Sequence, residues 1–240
     1  KMSSLHFTSC EEYRHRVIQM GEQPSRVFDV GSLGVENIKA VPLMTKDELE
    51  ASLDFKIDAQ TILVTYHPVT LGGDPAKDIR EFLDALDQFK DLKVIFTMPN
   101  SDTGRDAIAL AVENYVEKHS NSAKAYTSLG LRRYLSTLQF VKAAVGNSSS
   151  GIIEVPSFGI PTLNIGDRQK GRLASKSVVN CGTSKDEVIV GLKLCLSEEM
   201  QKAAKTYENP YAKPDTANLI YQELKNVELA GLNLKTFYDL

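Results

Sequence analysis

An imidazole, an amide, paired hydroxyls, a carboxylate and a guanidinium stand where the apolar runs of this chain stop: His67, Asn100, Ser148 and Ser149, Glu154, and Arg168. The densest group lies in Val145 to Arg168, reading VGNSSSGIIEVPSFGIPTLNIGDR. There an apolar run (Ala143, Ala144, Val145) stops at Gly146, three hydroxyls follow, and a short apolar segment carries one acid, Glu154. Pro156 and Gly159 break that segment, and a second apolar run ends at Gly166. The order reads as strand, glycine–serine turn, short helix, strand. At such a turn the unpaired N–H groups of the helix start favour an anion. Hydroxyls there donate to phosphate oxygens without adding bulk. Glu154, one to two turns into the helix, is placed to bind paired sugar hydroxyls. The combination suits a nucleotide, with phosphate at the turn and ribose on the acid. Serine and asparagine at a strand–helix junction also serve as plain N-caps, so this stretch alone leaves both roles open.

The elements that must position these groups follow from periodicity and breakers. Leu5 to Thr8 reads as a strand, and Cys10 to Gly21 as a helix with Ser9 as N-cap and Glu12 as its capping-box partner. Arg26 to Val30 is a strand, Ser32 to Asn37 a turn, and Thr45 to Leu53 a helix opened by Thr45 with Glu48. Thr61 to Tyr66 is apolar or β-branched without alternation, as in a parallel strand buried on both faces. Then come helix Asp78 to Phe89, strand Lys93 to Thr97, helix Asp106 to Lys118, strand Ala123 to Ser128 and helix Arg132 to Val141. After the Val145–Arg168 stretch the pattern continues with strand Ser177 to Asn180, helix Lys185 to Leu196, a helical segment Glu198 to Tyr207, and a last amphipathic helix, Thr216 to Leu229. The alternation predicts an α/β fold with a doubly wound, Rossmann-like parallel sheet and right-handed crossovers. Gly31, Gly34 and Pro42 mark the one plausible boundary. Residues 1–32 then form the last strand–helix–strand of a preceding domain and 33–240 a second domain.

Composition narrows the partners. At 240 residues with 42% hydrophobic and 25% charged residues, the chain matches an ordinary globular protein. A net charge of −3 offers no broad basic field for nucleic acid. No apolar run approaches the roughly 20 residues that span a bilayer. The three cysteines, Cys10, Cys181 and Cys195, show no paired spacing, which fits reduced thiols in a cytoplasm.

In an open α/β sheet, ligands sit beyond the carboxyl ends of the strands. The strand from Thr61 delivers His67, the next delivers Asn100, Ser101 and Asp102, and the third delivers Ser128 and Leu129. The strand ending near Val145 delivers Asn147, Ser148 and Ser149, and the one from Thr162 delivers Asp167 and Arg168. Each residue has an unremarkable explanation by itself; their arrival at successive strand ends makes a site. Arg168, planar and permanently charged, suits a diphosphate. Without GxGxxG or a Walker lysine motif, dehydrogenase and P-loop ATPase readings are weak. No His/Cys/carboxylate cluster points to a metal, and no cofactor is expected.

Three motifs then carry a resemblance: TYHPVT (65–70), MPNSDTG (98–104) and VGNSSSGIIEVPSFGIPTLNIGDRQKGR (145–172). They resemble the UDP-N-acetylglucosamine 2-epimerases, and HPVT with NSSSG resembles their hydrolysing branch. KMSSLHFTSCEEYRHRVIQMGE and DVGSLGVENI resemble the middle of the same family, so the similarity runs over nearly the whole chain. It implies the C-terminal half of the two-domain glycosyltransferase-B fold, with a UDP-sugar as the small-molecule partner, and a full-length protein that self-associates. Ser148 and Ser149 would hold the phosphates of UDP, with Arg168 and His67 nearby. Glu154 would bind the ribose, Asn100 and the backbone around Leu129 would lie at the nucleotide, and Leu129 would rest against the uracil. The implied reaction eliminates UDP across C1–C2 and adds water, giving N-acetylmannosamine for sialic-acid-type sugar synthesis. It requires a general acid and base, with His67 assisting the leaving group. The family's acid/base carboxylates belong to a segment that would precede Lys1, so these 240 residues alone are expected to bind UDP weakly and turn nothing over. A diacetamido-trideoxy-hexose (bacillosamine-type) substrate, a UDP-binding module without chemistry, and a glycosyltransferase are the competing functions.

Overall fold

The computed structural model describes residues 2–69 and 73–240. Thr70, which closes the TYHPVT motif, and Gly72 of the following loop lie outside the described residues. The chain divides into two compact units, residues 1–40 with 209–240, and residues 41–208.

The smaller unit begins with β1 (His6–Thr8), α1 (Glu11–Gln19), β2 (Val27–Asp29) and α2 (Leu33–Ala40). β1 and β2 pair in parallel, His6 opposite Val27. Two expectations are corrected here. α1 is capped by Cys10 rather than Ser9, with no side-chain cap bond. Cys10 is buried, and its carbonyl takes the N–H groups of Tyr13 and Arg14, which fixes the helix start one residue later. Residues 33–40 are a helix, not a turn. The Ser32 carbonyl accepts from the N–H of Val35 and Glu36, and burial of Val35 outweighs the helix-breaking tendency of Gly34.

The larger unit runs through α3 (Lys46–Leu53), β3 (Thr61–Thr65), α4 (Pro75–Leu86), β4 (Lys93–Thr97), α5 (Arg105–Lys118), β5 (Ala123–Tyr126), α6 (Gly130–Leu138), β6 (Ala143–Gly146), α7 (Ser150–Ile153), β7 (Thr162–Ile165), β8 (Val178–Cys181), α8 (Lys185–Leu196) and α9 (Glu198–Ala204). The expected capping box at Thr45 and Glu48 opens α3. Asp74 caps α4 by accepting from the N–H of Ala76 and Lys77, with Pro75 at the first helical position. The apolar face of α4 (Ile79, Phe82, Leu83, Leu86) is buried in one core with Ile62 and Val64 of β3 and Val94 and Phe96 of β4.

The six strands of this sheet lie in the order β5-β4-β3-β6-β7-β8, all parallel. β3 is buried along Ile62, Leu63 and Val64, as its unbroken apolar run requires. The chain winds outward from β3 in one direction, then returns to lay β6 on its other side. The strand order therefore reverses between β3 and β6, and this reversal opens a crevice at their carboxyl ends.

α10 (Thr216–Asn226) returns to the smaller unit. The expected division gave residues 209–240 to the larger domain; in the structure they pack on the N-terminal segment instead. Tyr211 bonds Tyr13 through their hydroxyls at 2.9 Å and accepts the Ser32 N–H on its carbonyl. Glu36 Oε2 accepts the Ala217 N–H at 2.9 Å.

Gly146 ends β6 with φ +131°, where an added Cβ would lie 2.0 Å from the Thr65 carbonyl oxygen. No rotamer change relieves a clash with a neighbouring strand's backbone. Gly146→Ala is expected to cost roughly 2–4 kcal/mol, read as a lower urea midpoint at unchanged slope. An unaltered midpoint would mean that β3 and β6 are not packed this closely.

Candidate functional site

The crevice is built on Asn147, the residue directly after β6. Asn147 is 1% exposed, yet every polar atom of its side chain is used. Its Oδ1 accepts the His67 N–H at 2.7 Å, and its Nδ2 donates to the His67 carbonyl at 2.8 Å. The side-chain amide thus pairs with the main chain beyond β3 as another peptide group would. The Asn147 carbonyl oxygen accepts from Arg168 (3.1 Å) and Gln169 (2.8 Å). One residue therefore joins the ends of β3, β6 and β7.

His67 is half-buried, and its Nδ1 accepts the Asn100 N–H at 3.1 Å. A nitrogen that accepts carries no proton, so neutral His67 bears its proton on Nε2, a donor that none of the described bonds uses. Burial, then the charge of Arg168, push the imidazole below its ordinary pKa, with Asp102 acting weakly in the opposite sense. Asn100 is exposed and donates through Nδ2 to Asp102 at 2.6 Å. The site thus offers a neutral ring donor beside a fixed cation.

Ser148 and Ser149 follow Asn147 on the turn and are half-exposed. Among the described residues their N–H groups have no acceptor, which leaves two backbone donors and two hydroxyls for an anion. α7 is a single turn, so what this turn offers is these local donors rather than a long helix dipole. Glu154 does not lie inside a longer helix: it closes α7, and the backbone tightens into a 3-10 turn from Val155 to Phe158. Pro156, which has no N–H, and Gly159 at φ +65° set that break.

Glu154 has one carboxylate oxygen, Oε2, buried without a partner. Burial raises its pKa, while a hydrogen bond from Ser150 pulls it back down. Ser150 in turn accepts from the Tyr134 hydroxyl at 2.8 Å. Burial pushes the Tyr134 phenol up to about 12, so it remains a donor at neutral pH. Leu129, at the N-cap of α6, is 3% exposed. Its side chain is buried, and Arg133 donates to the carbonyls of Leu129 (2.9 Å) and Ser128 (3.2 Å).

The structure links His67, Asn100 and Arg168 through Asn147, and it places Ser148, Ser149 and Glu154 on the segment that leaves Asn147. Sequence reading placed Asn147 at the loaded sheet edge without giving it a role, and it assigned no role to Gln169 or to Tyr134, a position of the 132–141 helix. The only sequence signal for Asn147 is its place between a strand-ending glycine and two serines.

These observations predict two outcomes. Asn147→Ala strips partners from the His67 N–H and carbonyl and is expected to lower stability by roughly 2–4 kcal/mol; an unaffected denaturation curve would remove Asn147 as the link. His67 is expected to titrate by NMR below its ordinary 6.5, and Arg168→Gln should move the midpoint upward. A depressed histidine pKa means that the unfolded state binds the proton first, so stability falls as pH drops from about 6.5 toward the folded midpoint. A midpoint indifferent to Arg168 would break the pairing of the two groups.

The chain matches, over residues 1–225, the family described as UDP-N-acetylglucosamine 2-epimerase. It is 41% identical to a GDP/UDP-N,N'-diacetylbacillosamine 2-epimerase (hydrolyzing) of Campylobacter jejuni, over 100% of this chain and 62% of that protein. It is 37% identical to polysialic acid biosynthesis protein P7 of Escherichia coli, over 100% of this chain and 61% of that one. The chain therefore spans about three-fifths of the length of these curated relatives. Among solved structures, the Staphylococcus aureus MnaA–UDP complex superposes with a TM-score of 0.74 at 17% identity, covering 99% of this chain and 64% of that one. The Neisseria meningitidis UDP-GlcNAc 2-epimerase bound to UDP-GlcNAc superposes with a TM-score of 0.67 at 15% identity, covering 94% and 61%. These likenesses establish the doubly wound, glycosyltransferase-B type fold.

Proposed function

The chain belongs to the UDP-N-acetylglucosamine 2-epimerase family, and from that membership we propose that it supplies the UDP-binding half of a hydrolysing 2-epimerase. The reaction converts UDP-N-acetylglucosamine and water to N-acetylmannosamine and UDP. The observation that carries this reading is the Asn147 junction, which sets a neutral imidazole donor and a permanent cation beside the free donors of Ser148 and Ser149.

A departing diphosphate concentrates negative charge on its oxygens, and fixed donors that need not reorganise stabilise it best. Arg168 supplies charge, His67 Nε2–H supplies a neutral donor, and Ser148 and Ser149 supply hydroxyl and backbone N–H groups. Glu154 takes the ribose hydroxyls, and Asn100 and the backbone around Leu129 border the base, with Leu129 behind it. The residues argued here bind and stabilise the leaving group. Proton abstraction at C2 falls to a carboxylate outside this set. We place the protein in the cytoplasm, where its three free cysteines remain reduced, and as a self-associating enzyme of sialic-acid-type sugar synthesis.

A second reading, that the sugar is a diacetamido-trideoxy hexose, is favoured by the name of the 41%-identical Campylobacter jejuni relative. The UDP site is common to both readings. Analysis of the free sugar released from each UDP-sugar distinguishes them: N-acetylmannosamine supports the first, the diacetamido sugar the second.

Calorimetric titration tests the site directly. UDP is expected to bind more tightly than UMP, and UMP more tightly than uridine. Arg168→Ala is expected to weaken UDP by about 1–3 kcal/mol, as for a charge-assisted bond, with uridine unaffected. Equal affinity for UDP and uridine would remove the diphosphate from this crevice.

A further inference from the structure

The turn between β4 and α5 carries a carboxylate, Asp102, that has no part in holding a diphosphate. Its Oδ2 accepts from Asn100 Nδ2 at 2.6 Å. A carboxylate at neutral pH only accepts hydrogen bonds, so the Asn100 amide turns its NH2 toward Asp102, and chemistry fixes which way round it lies. The backbone N–H of the same Asn100 donates to His67 Nδ1 at 3.1 Å. One residue therefore joins the carboxylate to the imidazole, by its side chain on one side and its main chain on the other.

Asp102 is itself anchored. Its carbonyl accepts the Arg105 N–H at 3.1 Å, so it is fastened to the first residue of α5, a helix of 14 residues. Gly104, at φ +91°, lets the chain turn into that helix, and a Cβ there would lie 3.4 Å from the Cβ of Pro68, the residue after His67. The turn thus meets the segment 67–68 twice, once by close packing and once by the bond to the ring.

We propose, resting on the nucleotide reading of this site, that Asp102 is a positioning residue for His67: through Asn100 it holds the imidazole in the tautomer that keeps its proton on Nε2 and so offers a donor to a diphosphate. A neutral imidazole carries one proton on either nitrogen, and the partner of one nitrogen decides the state of the other. Asn100 is exposed, and an exposed loop residue without a side-chain anchor is mobile. Were its N–H to swing away, the proton would be free to settle on Nδ1, and Nε2 would meet the diphosphate with a lone pair. The charge-assisted bond to Asp102 opposes that swing. Of the charges acting on the ring, Asp102 favours its protonation and Arg168 opposes it. A variant that keeps the bond and loses the charge separates the two effects of Asp102.

The test is nitrogen NMR of the His67 ring, assigned by difference from His67→Gln, with calorimetric titration of UDP and thermal unfolding of each variant. Wild type is expected to show a single neutral tautomer, with Nδ1 unprotonated and Nε2 protonated. Asp102→Ala is expected to mix the tautomers, drawing the two ring-nitrogen resonances toward each other, and to weaken UDP by about three- to tenfold, the effect of one neutral hydrogen bond. Asp102→Asn, whose side-chain oxygen still accepts from Asn100, is expected to keep the single tautomer and bind UDP no more weakly than wild type, while the His67 midpoint falls with the lost charge. Asn100→Ala retains the N–H without its anchor; it should mix the tautomers as Asp102→Ala does and serves where that variant folds poorly. Unmixed tautomers in both alanine variants, or mixing in Asp102→Asn as large as in Asp102→Ala, would overturn the proposal. Mixed tautomers with unchanged UDP affinity would overturn the link from the tautomer to the diphosphate. No UDP binding by wild type, with the tautomers responding as described, would instead sink the nucleotide reading and leave the hold on His67 in place.

Discussion

A single buried amide holds the carboxyl edge of the larger sheet together. Asn147 pairs both atoms of its side chain with the main chain of His67, where β3 has ended and no further ladder bond is available. A buried peptide group without a partner costs about as much as a lost hydrogen bond, so the crevice between β3 and β6 would otherwise open to water or collapse. The amide allows the two strand ends to diverge while their polar groups remain satisfied. Gly146 makes this possible from the other side. Only a residue without Cβ lets β6 approach the Thr65 carbonyl closely enough for Asn147 to reach across.

The position of that amide follows from topology. A doubly wound sheet reverses its strand order once, here between β3 and β6, and the loops on the two sides of the reversal leave in opposite directions. Residues separated by 80 positions, His67 and Asn147, meet because the reversal makes their strands neighbours. Arg168 arrives from β7, one strand further on, and is fastened to the same residue through the Asn147 carbonyl. Chain connectivity thus delivers three functional groups to one place, and side-chain hydrogen bonds fix their final orientation.

This division explains what the sequence revealed. The unbroken apolar run of β3, the Thr45–Glu48 capping box and the alternation of strands with amphipathic helices are local signals, and they predicted the sheet and its loaded edge. The Asn147 pairing is non-local: nothing near residue 147 indicates that its amide spans to residue 67, and asparagine before serines looks like any turn. Tyr134 was concealed for a different reason. It sits at an apolar helical spacing with Leu135 and Leu138, and periodicity reports the ring without its hydroxyl. The return of residues 209–240 to the N-terminal segment was hidden too, because an amphipathic helix shows which face it buries but not against what.

The electrostatics of the crevice have a consequence for the reaction proposed for it. Burial and the charge of Arg168 hold His67 below its ordinary pKa, so the permanent charge at this edge is that of Arg168. A diphosphate between the two groups changes the sign of the field at the ring. Its negative charge offsets the Arg168 contribution, and the imidazole becomes easier to protonate as the leaving group develops charge. The Asn100 N–H occupies Nδ1 in the neutral ring, so taking up a second proton requires that bond to give way. Protonation is therefore opposed until an anion compensates for the loss. On the proposed reading, this loop bond would act as a threshold: His67 would serve a diphosphate as a neutral donor and take on charge only as the departing phosphate developed its own.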